Sequence, residues 1–161
     1  MQNNHTKFMQ RAIELGREAA LIKKTGSGPF GAVIVQNNKI IGEGYNQVLK
    51  HNDSTWHGEI DAIRKACKLM QSRHLEGAFL YTSSQPCPMC LGAAYLAHIK
   101  EIYYASTVDD ALQYGDFQDL DIYREFKIAP NERKIKTYNI MRQEAVDCWQ
   151  EFAVLKDKAK Y

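Results

Sequence analysis

Ala78-Phe79-Leu80-Tyr81-Thr82 leads through Ser83-Ser84-Gln85 into Pro86-Cys87-Pro88-Met89-Cys90, and Glu101-Ile102-Tyr103-Tyr104-Ala105 follows shortly after His98. The first run, Ala78 to Thr82, and the second, Glu101 to Ala105, are rich in aromatic and β-branched residues and predict strands. Between them the chain predicts a helix through His98, with Pro88 suited to a first helical turn. A strand, a helix and a strand joined this tightly form the crossover unit of a sheet with helices packed on it.

Working outward, Glu59, Ile63, Ala66, Cys67 and Met70 share one face of a helix predicted from about His57 to Gln71. A polar loop precedes it. Before that loop, Gly31 to Gln36 and Lys39 to Gly44 predict two strands, joined at Asn37-Asn38 as a tight hairpin. An opening helix carries Phe8, Ala12, Leu15, Ala19 and Ile22 at spacings of three and four, and Gly26-Ser27-Gly28-Pro29 ends it. Downstream, Lys136 to Met141 predicts a fifth strand, and a last helix starts near Gln143. The order of elements predicts an α/β fold, a mixed sheet with helices on both faces.

The 161 residues show no repeat, linker or low-complexity block, so residues 1–161 are expected to form a single domain. Hydrophobic residues make up 45% and charged ones 25%, which favours a globular chain over a disordered one. Lysine and arginine number 21 against 19 aspartates and glutamates, a net charge of +2. That balance argues against a dedicated nucleic-acid binder. Lys156, Lys158 and Lys160 form the one basic cluster, which reads as a solvated helix face. Met1-Gln2-Asn3-Asn4-His5 has no signal-peptide pattern, and the longest apolar run, Leu91 to Ala97, is too short to span a membrane. Four cysteines without a secretory signal point to a reducing compartment, and a cytoplasmic protein is expected.

The residues that carry chemistry are His57-Gly58-Glu59 and, thirty residues on, Pro86-Cys87-Pro88-Met89-Cys90. Cys87 and Cys90 stand three apart at a helix start, so both sulfurs can converge on one point. Unpaired N–H groups and the positive end of the helix favour thiolate, the form that binds zinc. His57 adds a nitrogen from the start of the other helix. Two thiolates and a neutral imidazole offset the charge of Zn2+ and leave its fourth tetrahedral position open. Glu59, two residues past His57, suits a proton carrier beside that position. Two other readings of the cysteines stand beside this one. One is a thioredoxin-type redox pair, which gives His57 and Glu59 no role. The other is a closed structural zinc site completed by Cys67, Cys148, His74 or His98.

A histidine, a glutamate two later and then Pro-Cys-x-x-Cys is the signature of zinc nucleobase deaminases. The stretches Gly28 to Val35, Ala62 to Lys68, Leu80 to Ser83 and Pro86 to Ala93 resemble the bacterial guanine deaminases of the cytidine deaminase superfamily. The resemblance implies a cytidine deaminase-like, three-layer α/β/α sandwich with a five-stranded mixed sheet. It implies a homodimer in which a carboxy-terminal segment, about residues 143–161, is exchanged between subunits. Zn2+ on His57, Cys87 and Cys90 would serve hydrolytic deamination of guanine to xanthine and ammonia, with Glu59 and Asp119 as catalytic acids and bases. Asn46, Phe30 and Tyr161 would bind the purine, the last as a closing tyrosine. The chain departs from the resemblance at Gly58, where alanine is usual, at Gln85 in place of glutamate, and at Leu96 in place of tryptophan.

Three rival functions are set against this expectation. A tRNA-specific adenosine deaminase shares the zinc motif but calls for a more basic last helix than Glu144-Ala145-Val146-Asp147-Cys148-Trp149-Gln150-Glu151. Guanosine or another amino-heterocycle is a second option. A zinc-bearing scaffold with a vestigial cleft is the third, and Glu59 counts against it. A small-molecule purine partner is expected, with no nucleic acid and no membrane.

Overall fold

Asn37 and Asn38 take φ of 50° and 63°, the paired positive values of a tight hairpin turn that asparagine tolerates well. They join β1 (Gly31–Gln36) to β2 (Lys39–Tyr45). The computed structural model describes residues 2–22 and 27–158; side chains at 2, 3, 22, 119 and 120 lie outside that description. Helix α1 (Gln2–Arg17) runs on into a π-helical turn, Glu18–Ile22. After the hairpin come α2 (Val48–His51), α3 (Gly58–Met70), β3 (Phe79–Ser84), α4 (Pro88–Leu96) and β4 (Glu101–Ser106). Then follow α5 (Val108–Gly115), α6 (Asp119–Glu125) and α7 (Arg142–Ala153).

The sheet order is β2-β1-β3-β4. Strand β1 pairs antiparallel with β2 and with β3, and β3 pairs parallel with β4 across the α4 crossover. Ala32 to Val35 are all buried because both faces of β1 are covered. On one face Phe8, Ala12 and Leu15 of α1 meet Val33, Val35 and Tyr81. On the other, Ala62, Ile63 and Ala66 of α3 and Ala94 of α4 meet Ala32, Ile34 and Leu80. Burying a side chain such as Ile34 or Leu80 stabilises the fold by about 1.5–3 kcal/mol.

Helix α3 lies directly on β2 because Gly42 and Gly44 lack side chains. A Cβ at Gly42 would stand 2.3 Å from the Ala62 carbonyl oxygen, and one at Gly44 would stand 2.1 Å from that of Gly58. Two bare positions thus set how closely the start of α3 approaches the sheet.

The expected fifth strand does not form. Residues 136–141 are irregular and exposed, and among the described residues the sheet has four strands. Thr137, Tyr138 and Ile140 have strand-forming character, but a strand needs a neighbouring ladder for its backbone groups. The predicted polar loop contains α2, and α5 and α6 were not foreseen.

The chain divides into two compact units, Met1–Tyr123 and Arg124–Tyr161. The first contains the sheet and both packed faces. The second contains α7, and none of its described residues is buried. Among the described residues no helix is long and apolar enough to cross a membrane.

Candidate active site

Two helix starts meet at one end of the sheet. His57 is the N-cap residue of α3 (φ −76°, ψ 159°) and Cys87 that of α4 (φ −67°, ψ 167°). Neither side chain caps its helix, while each carbonyl accepts a first-turn bond, from Asp61 N–H at 3.0 Å and Leu91 N–H at 2.9 Å. Pro88 occupies the first turn of α4, where no N–H partner is lost. Cys90 lies one turn in and is fully buried.

His57 Nδ1 lies 3.6 Å from the sulfur of Cys87 and 3.6 Å from that of Cys90. Tetrahedral zinc with ordinary Zn–S and Zn–N bonds sets nitrogen and sulfur about 3.6 Å apart, so this donor set fits the metal. No fourth His, Cys, Asp or Glu joins the group among the described residues. Cys67 packs half-buried against the core, and Cys148 is exposed on α7. The closed four-ligand reading is therefore not met.

The charges in the site suit a cation. The Cys87 thiol is pulled down to about 4, first by the hydrogen bond from Cys90 and further by His57, against the effect of burial. Cys90 is pushed up because its thiol is the donor to Cys87 and because it is buried. The hydrogen bond between them makes Cys87 the more acidic of the two, and a divalent cation held by the pair would need both sulfurs as thiolates.

Glu59, second residue of α3, is 5% exposed. Its Oε1 lies 3.2 Å from Thr82 Oγ1, a hydroxyl that also lies 3.1 Å from the Ser84 carbonyl oxygen. Burial pushes the Glu59 carboxyl up from its ordinary range. A carboxyl so placed exchanges protons more readily near neutral pH than an exposed one.

His57, Glu59 and Cys87 open on a cavity of about 270 Å³, which Asn46, Phe30 and Phe117 also line. The Phe30 and Phe117 rings meet edge to face, 4.8 Å between centroids. Asn46 is buried; its Oδ1 accepts the Val48 N–H at 3.1 Å in a local turn, and its own N–H donates to the Phe30 carbonyl at 2.9 Å. The next residue anchors this loop to α3. Gln47 Nε2 donates to Asp61 Oδ2 at 3.0 Å, and Lys65 Nζ reaches the same oxygen at 2.8 Å. On the other side, Ser83 Oγ accepts the Gly31 N–H at 3.0 Å and donates to the Pro29 carbonyl at 3.1 Å, which holds the Phe30 backbone.

The structure therefore brings His57, Cys87, Cys90, Glu59, Asn46 and Phe30 to one place. Asp119 is the first residue of α6, but its side chain lies outside the described residues, as does Tyr161 entirely. Gln85 lines the cavity. Leu96 is 79% exposed and does not line it. At Gly58 a Cβ would come within 3.1 Å of the Phe30 carbonyl oxygen, so an alanine there would press on backbone beside the site. Sequence reasoning missed Thr82, Phe117 and the Gln47–Asp61 pair, because each acts through tertiary contact. A larger cavity of about 620 Å³ beside α1 is lined by Met9, Ile13, Tyr81 and Tyr103, and none of the metal donors reaches it.

Comparison with known proteins agrees with this geometry. Residues 2–106 match the cytidine and deoxycytidylate deaminase zinc-binding region. A guanine deaminase from Bacillus subtilis (strain 168) is 42% identical over 158 residues, covering 98% of this chain and 99% of its own. The crystal structure of guanine deaminase from Bacillus subtilis matches with a TM-score of 0.91 at 42% identity, covering 98% of each chain. A tRNA-specific adenosine deaminase from Buchnera aphidicola subsp. Schizaphis graminum is 35% identical, over 93% of this chain and 94% of its own. With His57, Cys87 and Cys90 gathered at two helix starts and this match spanning them, the chain belongs to the cytidine and deoxycytidylate deaminase family, as a zinc-binding deaminase.

Proposed function

We propose that the protein hydrolyses guanine to xanthine and ammonia. The observation that carries this reading is the single cavity onto which metal donors, a buried carboxyl and a buried amide all open. Its volume of about 270 Å³, just below the range of about 300–1,000 Å³ for drug-sized ligand clefts, suits one fused ring system. The full-length similarity to a guanine deaminase supports the choice of base.

His57, Cys87 and Cys90 would hold the zinc, which when bound lowers the pKa of water to about 7 and so supplies the nucleophile. Glu59 takes a proton from the attacking water and delivers it to the ring nitrogen beside C2. Once the C2–oxygen bond has formed, Glu59 takes the second proton from the new C2 hydroxyl and passes it to the amine. The amine leaves as ammonia as the C2–nitrogen bond breaks and C2 becomes a carbonyl. The Asn46 amide, held by its bond to Val48, offers a donor and a remaining acceptor to the base edge. Phe30 and Phe117 bound the ring and exclude water.

The remaining roles extend the same reading. Asp119 acts as a second acid and Tyr161 closes over the purine. The deaminase acts as one functional domain in the cytoplasm and as a homodimer whose carboxy-terminal segments are exchanged. Exposed apolar side chains in that segment, Trp149, Val154 and Leu155, support a partner copy that covers them.

A second reading, deamination of adenosine in tRNA, draws on the Buchnera relative. Glu144, Asp147 and Glu151 on α7 and the net charge of +2 weigh against a grip on RNA. Ammonia release from guanine, guanosine, adenine, cytosine and an anticodon stem-loop, with a chelator control, tests both. Release from guanine alone, lost on chelation, is expected. Release from the stem-loop alone would favour the tRNA reading, and none from any substrate would favour a scaffold.

A further inference from the structure

At the opposite end of α4 from Cys87, His74, Glu76 and His98 converge outside the active site. We propose that they form a second site for a divalent transition-metal ion, with Zn2+ as the fitting ion. One donor atom from each residue lies within 4.8 Å of the others. The His74 and His98 rings stack, 3.9 Å between centroids and 9° from parallel. His98 Nδ1 is 2.5 Å from Glu76 Oε1.

Stacked imidazoles set their nitrogens side by side, and two nitrogens on tetrahedral zinc stand about 3.3 Å apart. Coordination of one ion requires the two rings to tilt out of parallel, so that their in-plane lone pairs meet at one point. Two imidazoles and a carboxylate are a zinc donor set that leaves one position open to water or to a donor from another molecule.

The backbone that carries the three side chains is fixed. Leu75, between His74 and Glu76, is buried, and its N–H donates to the Ala97 carbonyl at 2.8 Å. The Ala78 N–H donates to the Leu75 carbonyl at 2.9 Å, and the Lys100 N–H to the Ala78 carbonyl at 2.8 Å. These bonds stitch the segment before β3 to the turn after α4. His98 itself holds a left-handed backbone at φ 56°, where glycine is favoured, so its imidazole is presented there at a conformational cost. Nine helical residues place this site about 13 Å along α4 from the first, so the two ions bind independently.

Equilibrium dialysis of the full-length, zinc-loaded protein against Zn2+ at neutral pH, followed by elemental analysis, tests the proposal without reference to the reaction. The wild type is expected to hold two equivalents, and His74→Ala and His98→Asn one each. Asparagine suits the left-handed backbone at 98, and the retained first equivalent reports an intact fold. Glu76→Gln, at an exposed carboxyl, keeps the test open if either histidine change disturbs folding. His51→Ala, at another exposed histidine, is expected to keep both equivalents. One equivalent in the wild type, or two in His74→Ala and His98→Asn alike, would overturn the second site.

Discussion

Between Phe79 and Ser106, strand β3 is buried from Leu80 to Ser84, and Leu80 is fully enclosed between α3, α4 and the neighbouring strands. Between Arg124 and Lys158, residues just as apolar, Ile135, Ile140 and Val154, remain exposed. The difference lies in backbone partners, not in side-chain character. In the first region each strand has a ladder on one or both sides, so alternate side chains meet a covered surface. In the second, strand-like residues have no ladder among the described residues, and their apolar surface stays exposed. Two of the three metal donors, Cys87 and Cys90, are carried by the first region.

Truncation within each region tests this contrast. Leu80→Ala is expected to lower stability by about 2–5 kcal/mol in urea unfolding, through lost burial and the cavity left behind. Trp149→Ala is expected to change it by less than about 0.5 kcal/mol in dilute protein, with a cost that grows as concentration rises. A Trp149→Ala cost that matches Leu80→Ala and is independent of concentration would erase the distinction.

A smaller effect is expected at the loop that carries Asn46. Asp61→Ala leaves the buried Gln47 amide without its acceptor, and a loss of about 1–3 kcal/mol should follow. The loosened loop should raise KM for guanine more than it lowers kcat. An unchanged KM would separate Gln47 from substrate positioning.

The smallest concerns the ion pair that ties α1 to β2. Arg11 donates to both Glu43 carboxylate oxygens at 2.8 Å, and this hydrogen bonding holds the Glu43 carboxyl below its usual range. A depressed carboxylate stabilises the fold above its unfolded pKa of about 4.3, and the gain is lost as pH falls through the lower folded value. The pair is partly exposed, so Arg11→Ala should cost only about 0.2–1 kcal/mol at pH 7. That difference should shrink below about pH 4, and one that persists in acid would point to packing of the arginine stem.

The sequence pattern located the packed region well. Asn37-Asn38 identified the hairpin because few residues accept its backbone, and helical spacing identified α1 and α3. The three metal donors were legible because zinc demands particular residue types at helix starts. The error at Lys136 to Met141 followed from judging strand propensity without knowing whether a neighbour was available. Helix α5 was missed although Thr107 and Asp110 form a reciprocal cap, a signal present in Thr107-Val108-Asp109-Asp110. Thr82 and Phe117 could not be identified, because only folding brings one to Glu59 and the other to Phe30.

Zinc content and guanine turnover measured together on Glu59→Gln test the account most directly. The expected result is wild-type zinc with turnover lowered by about 10²–10⁴-fold, the usual contribution of a positioned proton carrier. Near-normal turnover with the zinc in place would contradict it.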